Sequence, residues 1–397
     1  MITPEKFLIK KSNLEQYKTA FRERLSNVPN KPLEIFIEMT HSCNLRCIMC
    51  LNTFLDSENK QDISKDILAK VTPFSEYAIA VHPFGIGEPM LHKDFMWTIE
   101  EGKSFHAYVS YFTNGTLLTR EKAERMVQLE VDRITFSIDG VTRETFERIR
   151  QGANYDQVIG NIRTLNAIKN AYGRTHRHSK PELMINFIAM NMNFDQLPDL
   201  IRLANELNIS YVDVKPLETY NKEMEKWKKT SFSEDDQAII SQAREMARRF
   251  EVGLDLSACE RAQSMLGSER HESEPSLITN HTCFMPWRTI FVKWDGKVRP
   301  CCFGGPILGD VAEQTIEEIW NGPNSRRTRE SWSRGEYPME CRRCVELPLR
   351  PVVDDIEAIF SKLCSDVYGH PLPLPSMSGV QPNKELDCMD RQRTETT

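Results

Sequence analysis

Six short apolar runs, Leu33 to Met39, Tyr77 to Phe84, Ala107 to Phe112, Arg133 to Ile138, Leu183 to Ala189 and Tyr211 to Val214, alternate with longer amphipathic stretches. Arg120 to Leu129, Tyr155 to Tyr172 and Asp195 to Leu207 are the clearest of those stretches. Strand-length runs with helix-period segments between them predict six βα units. Right-handed crossovers then build a parallel sheet with helices outside. In such a fold the loops at the carboxyl ends of the strands form the active face, so whatever follows each run is a candidate for chemistry.

After the first run comes His41-Ser42-Cys43-Asn44-Leu45-Arg46-Cys47-Ile48-Met49-Cys50, three thiols on one short loop. Soft thiolates select iron-sulfur clusters, zinc or Cu(I). A cubane cluster has four irons, so three cysteines leave one iron open to a substrate or cofactor. A tetrahedral zinc would need a fourth ligand, for which His41 is the nearest candidate. The second run ends in Gly85-Ile86-Gly87-Glu88-Pro89, where glycines allow close backbone approach to a ligand or simply make a turn. Thr113-Asn114-Gly115 and Ser137-Ile138-Asp139-Gly140 end the third and fourth runs, and their short polar side chains either bind hydroxyls and carboxylates or cap turns.

Beyond Tyr211 to Val214 the pattern changes. Glu218 to Ser231 is a polar excursion, and Ser233 with Asp236 reads as a capping box opening a helix to about Arg249. Val252 to Leu256 is one more strand, Arg261 to Pro275 a loop, and a second unit starts near Thr282. Thr289 to Val292 and Lys297-Val298 flank the turn Asp295-Gly296, which predicts a β-hairpin, with helices at Thr315 to Trp320 and Asn324 to Arg334 after it. The hairpin can bring Cys283 and Cys301 side by side while Cys341-Arg342-Arg343-Cys344 supplies two further thiolates. That is a closed four-cysteine site, which zinc and iron-sulfur satisfy equally well on spacing alone. The Pro-rich stretch from Gly369 to Pro375 and everything beyond it read as a disordered tail.

The net charge of -6 gives no basic surface to draw nucleic acid or anionic lipid. No window holds about 18 uninterrupted apolar residues and no signal peptide is evident, so the expected location is the cytoplasm. Eleven cysteines in that compartment argue for metal ligation over disulfides. Seven fall in metal spacings, and Cys259, Cys302, Cys364 and Cys388 are left as core or tail residues.

The first loop resembles the signature of the radical S-adenosylmethionine (radical SAM) enzymes, and the C-terminal unit resembles their SPASM/twitch extensions, with Cys283, Gly296 and Cys301 matching a Cys, spacer, G-x4-C pattern. The resemblance implies a partial (β/α)6 barrel of the α/β class with a small cysteine-rich α+β domain. It also implies a 4Fe-4S cluster on Cys43, Cys47 and Cys50 whose open iron chelates SAM, and an auxiliary 4Fe-4S cluster on Cys283, Cys301, Cys341 and Cys344. Around SAM it points to the Met49 backbone, Gly87 and Glu88 in place of a GGEP motif, Asn114, Ser137, and Arg150 for the carboxylate, with Arg148 as competitor. No further cysteine follows Cys344 until Cys364, which matches the shorter, one-cluster form and leaves Cys302 and Cys364 as the rival ligands.

Such enzymes pass an electron to the SAM sulfonium, and the 5'-deoxyadenosyl radical then abstracts hydrogen from an inert carbon. A flavodoxin- or ferredoxin-like protein supplies the electron. One-cluster relatives include the dehydrogenase of 2-deoxy-scyllo-inosamine, and the short lead-in before the first run leaves no room for a peptide-recognition domain. The expectation is therefore a dehydrogenase acting on a sugar, polyol or aminocyclitol, with the auxiliary cluster accepting an electron. The alternative is a maturase that crosslinks a ribosomal peptide, and a reading from another class is a non-catalytic zinc-binding scaffold. Expected boundaries are 1–32 for the lead-in, 33–256 for the barrel, 257–350 for the auxiliary domain and 351–397 for a helix and tail.

Overall fold

A computed structural model describes residues 4–55, 61–174, 180–266, 283–338, 341 and 355–368. Seven strands follow the chain in order: β1 (Glu34–Ile37), β2 (Ala80–His82), β3 (Tyr108–Thr113), β4 (Arg133–Ser137), β5 (Glu182–Ala189), β6 (Tyr211–Pro216) and β7 (Gly253–Asp255). Each pairs in parallel with the next. With right-handed crossovers this is the partial barrel of the α/β class, and all six expected strand runs lie in it.

Alternation decides which side chains face where. Ile35, Ile37, Val109, Tyr111, Ile134, Phe136, Ile185, Phe187, Val212 and Val214 are buried together beneath the outer helices. The opposite, concave face carries Phe36, His82, Phe84 and Phe112 as a row of touching rings, the Phe84 and Phe112 centroids 4.8 Å apart. Farther round it carries Ser137, Asn186, Asp213 and Asp255, strand neighbours by register. Phe112 sits between two paired strands yet is 37% exposed, so the concave side holds an open space.

The hairpin expected near residue 295 is present as β8 (Thr289–Val292) and β9 (Lys297–Arg299), followed by β10 (Gly309–Asp310). It does not stand apart. Strand β8 pairs in parallel with β1, giving one ten-stranded sheet in the order β10-β9-β8-β1 through β7. Without β8 the outer edge of β1 would leave buried amide and carbonyl groups unpaired.

The lead-in is the helix Pro4–Arg22, locked by Lys10, whose ammonium donates to the Ser75 and Ala78 carbonyls and whose pKa burial lowers to about 7. Its Phe7 meets Phe360 of the helix Ile356–Tyr368. The capping box of Ser233 and Asp236 forms as expected and opens Glu234–Phe250. The loop expected from Arg261 is corrected in part, since the helix Ser257–Leu266 runs into it. Ser257 and Glu260 have the spacing of a helix start, and Asp255 Oδ1 accepts from Ser257 N–H at 2.8 Å where the helix begins. The proposed tail from Gly369 onward lies outside the described residues. No helix among the described residues is long and apolar enough to cross a membrane.

Candidate active site at the carboxyl ends of the strands

The three-cysteine loop leaves β1 and is pinned on both sides. Arg46 N–H donates to the Gln151 carbonyl at 2.9 Å and Ile48 N–H to the Ile149 carbonyl at 3.0 Å. On the other flank Gly87 N–H donates to the Thr40 carbonyl at 3.2 Å and Glu88 N–H to the Ser42 carbonyl at 2.9 Å. A Cβ on Gly87 would collide with both of those carbonyl oxygens, so only glycine allows this approach. Inside the loop the Thr53 hydroxyl and Cys50 N–H both donate to the Cys47 carbonyl, at 2.8 and 3.1 Å. Beneath it Leu45, Cys47, Met49, Ile149, Met190, Leu217 and Met224 form a separate apolar nest, with Cys43 and Cys50 at its rim.

The loop suits anionic sulfur. Leu45 N–H lies 3.4 Å from Cys43 Sγ, Asn114 Nδ2 lies 3.9 Å from the same sulfur, and Arg150 Nη1 lies 3.8 Å from Cys47 Sγ. Burial pushes the Cys47 thiol up to about 12, against the pull of Arg150, and raises Cys43 as well. Thiols so buried become thiolates when a metal takes them. His41, the alternative zinc ligand, holds its Nε2 3.0 Å from Glu38 Oε2 and its ring against Trp294. Glu38 also accepts from Ile86 N–H at 3.3 Å and from Trp294 N–H at 3.4 Å. One buried carboxylate thereby ties together the first loop, the second loop and the β8–β9 hairpin.

Of the remaining expected residues, Asn114, Glu88 and Arg150 meet this loop. Asn114 donates to Asn44 Oδ1 at 3.0 Å and accepts from Thr116, so it meets the cysteine loop directly. Glu88 uses its carboxylate, raised by burial, to accept from Thr113 Oγ1 at 2.9 Å and Asn114 N–H at 2.8 Å, stapling the second loop to the third. Its N–H and that of Gly87 are engaged as well, with the cysteine loop.

Arg150 is buried, and its Nη2 lies 2.5 Å from Asp139 Oδ2. Its charge is therefore shared between a carboxylate and the Cys47 sulfur. Sequence reasoning misses Asp139 as a partner; its place right after the fourth strand is the available signal. Met49 is packed in the nest, and Ser137 stands part-exposed at the end of β4.

The second cysteine set gathers at the other end of the sheet. Cys283 precedes β8, Cys301 follows β9, and the antiparallel pairing of those strands returns both to the amino end of β1. Cys283 N–H meets Tyr337 Oη at 3.4 Å, Phe303 N–H meets Cys301 Sγ at 3.4 Å, and a Cβ on Gly305 would lie 3.9 Å from Cys341 Sγ. Cys344 and Cys388 lie outside the described residues. Cys302 sits half-buried beside Cys301, whereas Cys259 and Cys364 are buried in the main core.

The barrel and its three-thiol loop are the features of a radical SAM domain. Residues 37–178 match the radical SAM superfamily profile and residues 283–345 match SPASM, an iron-sulfur cluster-binding domain, so the chain carries both. SAM, a 4Fe-4S cluster and auxiliary iron-sulfur are the cofactors these domains imply, and three thiols on one loop are the donor chemistry that the first cluster asks for.

A PqqA peptide cyclase of Gluconobacter oxydans is 26% identical over 302 residues, covering 74% of this chain and 78% of its own. The tungsten-containing aldehyde ferredoxin oxidoreductase cofactor-modifying protein of Pyrococcus furiosus is 26% identical over 357 residues, covering 81% and 89%. SuiB of Streptococcus suis, solved bound to S-adenosylmethionine, shares the fold with a TM-score of 0.59 at 14% identity, covering 80% of this chain and 71% of that one.

Proposed function

We propose that this enzyme is a peptide maturase, forming a new bond within a ribosomally made precursor. The observation that carries this reading is the similarity to a PqqA peptide cyclase, which extends over most of both chains. Oxidation of a small sugar, polyol or aminocyclitol is the second reading. It draws on the part-exposed polar row Ser137, Asn186, Asp213 and Asp255.

In either case Cys43, Cys47 and Cys50 would hold the cluster that binds SAM, and Cys283, Cys301, Cys341 and Cys344 a single auxiliary cluster. When bound, these groups supply one-electron chemistry and hydrogen-atom abstraction. The chain's own residues position and shield. Asn114, Ser137 and the Gly87 carbonyl line the cofactor's side, Arg150 steadies the sulfur of Cys47, and the rings of Phe36, Phe84 and Phe112 keep water from one half of the barrel. The open polar row offers hydrogen bonds to substrate amides or hydroxyls. A flavodoxin- or ferredoxin-like donor would supply the electron.

The test is anaerobic incubation of the reconstituted enzyme with SAM, dithionite and either pooled precursor peptides or pooled polyols and aminocyclitols. A peptide lighter by two hydrogens, formed with 5'-deoxyadenosine, supports the maturase. Mass loss confined to the small-molecule pool would replace it with the dehydrogenase.

A further inference from the structure

One buried polar chain on the concave face has no part in holding either cysteine set. Ser110 on β3, His82 on β2 and Glu34 on β1 are linked in sequence across the sheet. Ser110 Oγ lies 2.8 Å from His82 Nδ1, and His82 Nε2 lies 2.9 Å from Glu34 Oε1. Glu34 Oε2 lies 2.8 Å from Arg288 Nη2 and accepts from the Thr289 hydroxyl at 3.3 Å. Arg288 ends the short turn Met285–Arg288 that follows Cys283, with its guanidinium 4.0 Å from the centre of the Phe284 ring. The chain therefore runs from the auxiliary cysteines into the barrel.

Its hydrogens can be assigned. Burial alone would raise the Glu34 carboxyl, but the Arg288 guanidinium beside it outweighs that and holds it down, so Glu34 is an acceptor only. His82 Nε2 must then carry the hydrogen, which leaves the Nδ1 lone pair to accept from the Ser110 hydroxyl. The Phe36 ring, its centroid 4.5 Å from that of the imidazole, packs against it and limits its rotation. Glu34, His82 and Arg288 are buried, whereas Ser110 is part-exposed on the face where Phe112, two residues along, opens onto the barrel space.

We propose that Ser110 and His82, with Glu34 as their positioning residue, form the proton acceptor of the reaction. The proposal rests on the reading that two hydrogens leave the substrate, which a peptide crosslink and an alcohol oxidation share. One leaves as a hydrogen atom, consumed with SAM as methionine and 5'-deoxyadenosine form. The other leaves as a proton while its electron passes to the auxiliary iron-sulfur centre. Ser110 passes its own hydroxyl proton to His82 Nδ1 and takes the substrate proton in its place, so the new bond or carbonyl forms without a free base in the barrel.

Two measurements test this. Nitrogen-15 NMR of histidine-labelled enzyme, with His82→Gln to assign the signal, should show the His82 hydrogen on Nε2, and Glu34→Gln should mix the tautomers. A ring protonated at Nδ1, or at both nitrogens, overturns the proposal whatever the substrate proves to be. With the peptide or polyol that the parent converts, Ser110→Ala should lower product formed per 5'-deoxyadenosine at least tenfold, and Ser110→Thr should restore most of it. An unchanged ratio in Ser110→Ala also overturns it. A parent that converts neither pool would sink the proposed function, and the NMR result would still decide the relay.

Discussion

Two buried arginine–carboxylate pairs stand at opposite ends of this sheet, and they are not equivalent. At the carboxyl end Arg150 pairs with Asp139, whose carboxyl burial pushes up despite the guanidinium beside it. At the amino end Arg288 pairs with Glu34, whose carboxyl the guanidinium holds down despite burial. Glu34 is fully compensated within the protein. Arg150 is divided between Asp139 and the Cys47 sulfur, so its setting is completed only when the thiols become anionic. The cysteine loop is in this sense a site waiting for charge, and the auxiliary end carries a polar chain that is complete in itself.

That contrast can be broken most forcefully at the thiols. Replacing Cys43, Cys47 and Cys50 together by Ala should reduce SAM cleavage to background while visible absorption from the auxiliary end persists, as iron analysis and spectra would show. Changing Cys341 and Cys344 to Ala should do the converse, keeping SAM cleavage while product per 5'-deoxyadenosine collapses.

Arg150→Ala would leave Asp139 buried and unpaired, and breaking a buried pair in this way costs about 3–5 kcal/mol, readable by urea unfolding. Removing both partners, as Arg150→Met with Asp139→Leu, should cost less than the single change. At the other end the sign of the pH dependence is set by Glu34. A folded pKa below the ordinary value of about 4.3 gives stability that is complete above that pH and is lost as pH falls toward 2. Glu34→Gln should flatten that acid segment of the stability curve. The smallest effect is expected away from both ends, where Ser233→Ala removes one helix cap and should lower stability by about 1 kcal/mol with SAM cleavage intact.

Local chemistry is legible in the amino-acid sequence. Three thiols on one loop, the glycines that let Gly87 approach Thr40 and Ser42, the Ser233 capping box and the Asp295-Gly296 turn all act through residues close in sequence. The period-two and helical patterns of residues 33 to 214 likewise mark each strand, because burial against helices on one face demands that alternation. What the pattern leaves open is every relation between distant segments.

Only the tertiary structure decided that β8 pairs with β1, which makes one sheet of what read as two units. It alone turned Arg150 toward Asp139 and Cys47, and the Glu88 side chain toward the third loop. It also assembled Ser110, His82, Glu34 and Arg288, residues that carry no motif. Their link is set by the register of β1, β2 and β3 and by the turn that leads into β8, and register is a property of pairing between segments that no single stretch of sequence contains. The sequence by itself determined which chemistry the chain can hold; the folded sheet decided which charges meet it, because hydrogen bonds and ion pairs act over a few ångströms whatever the distance along the chain.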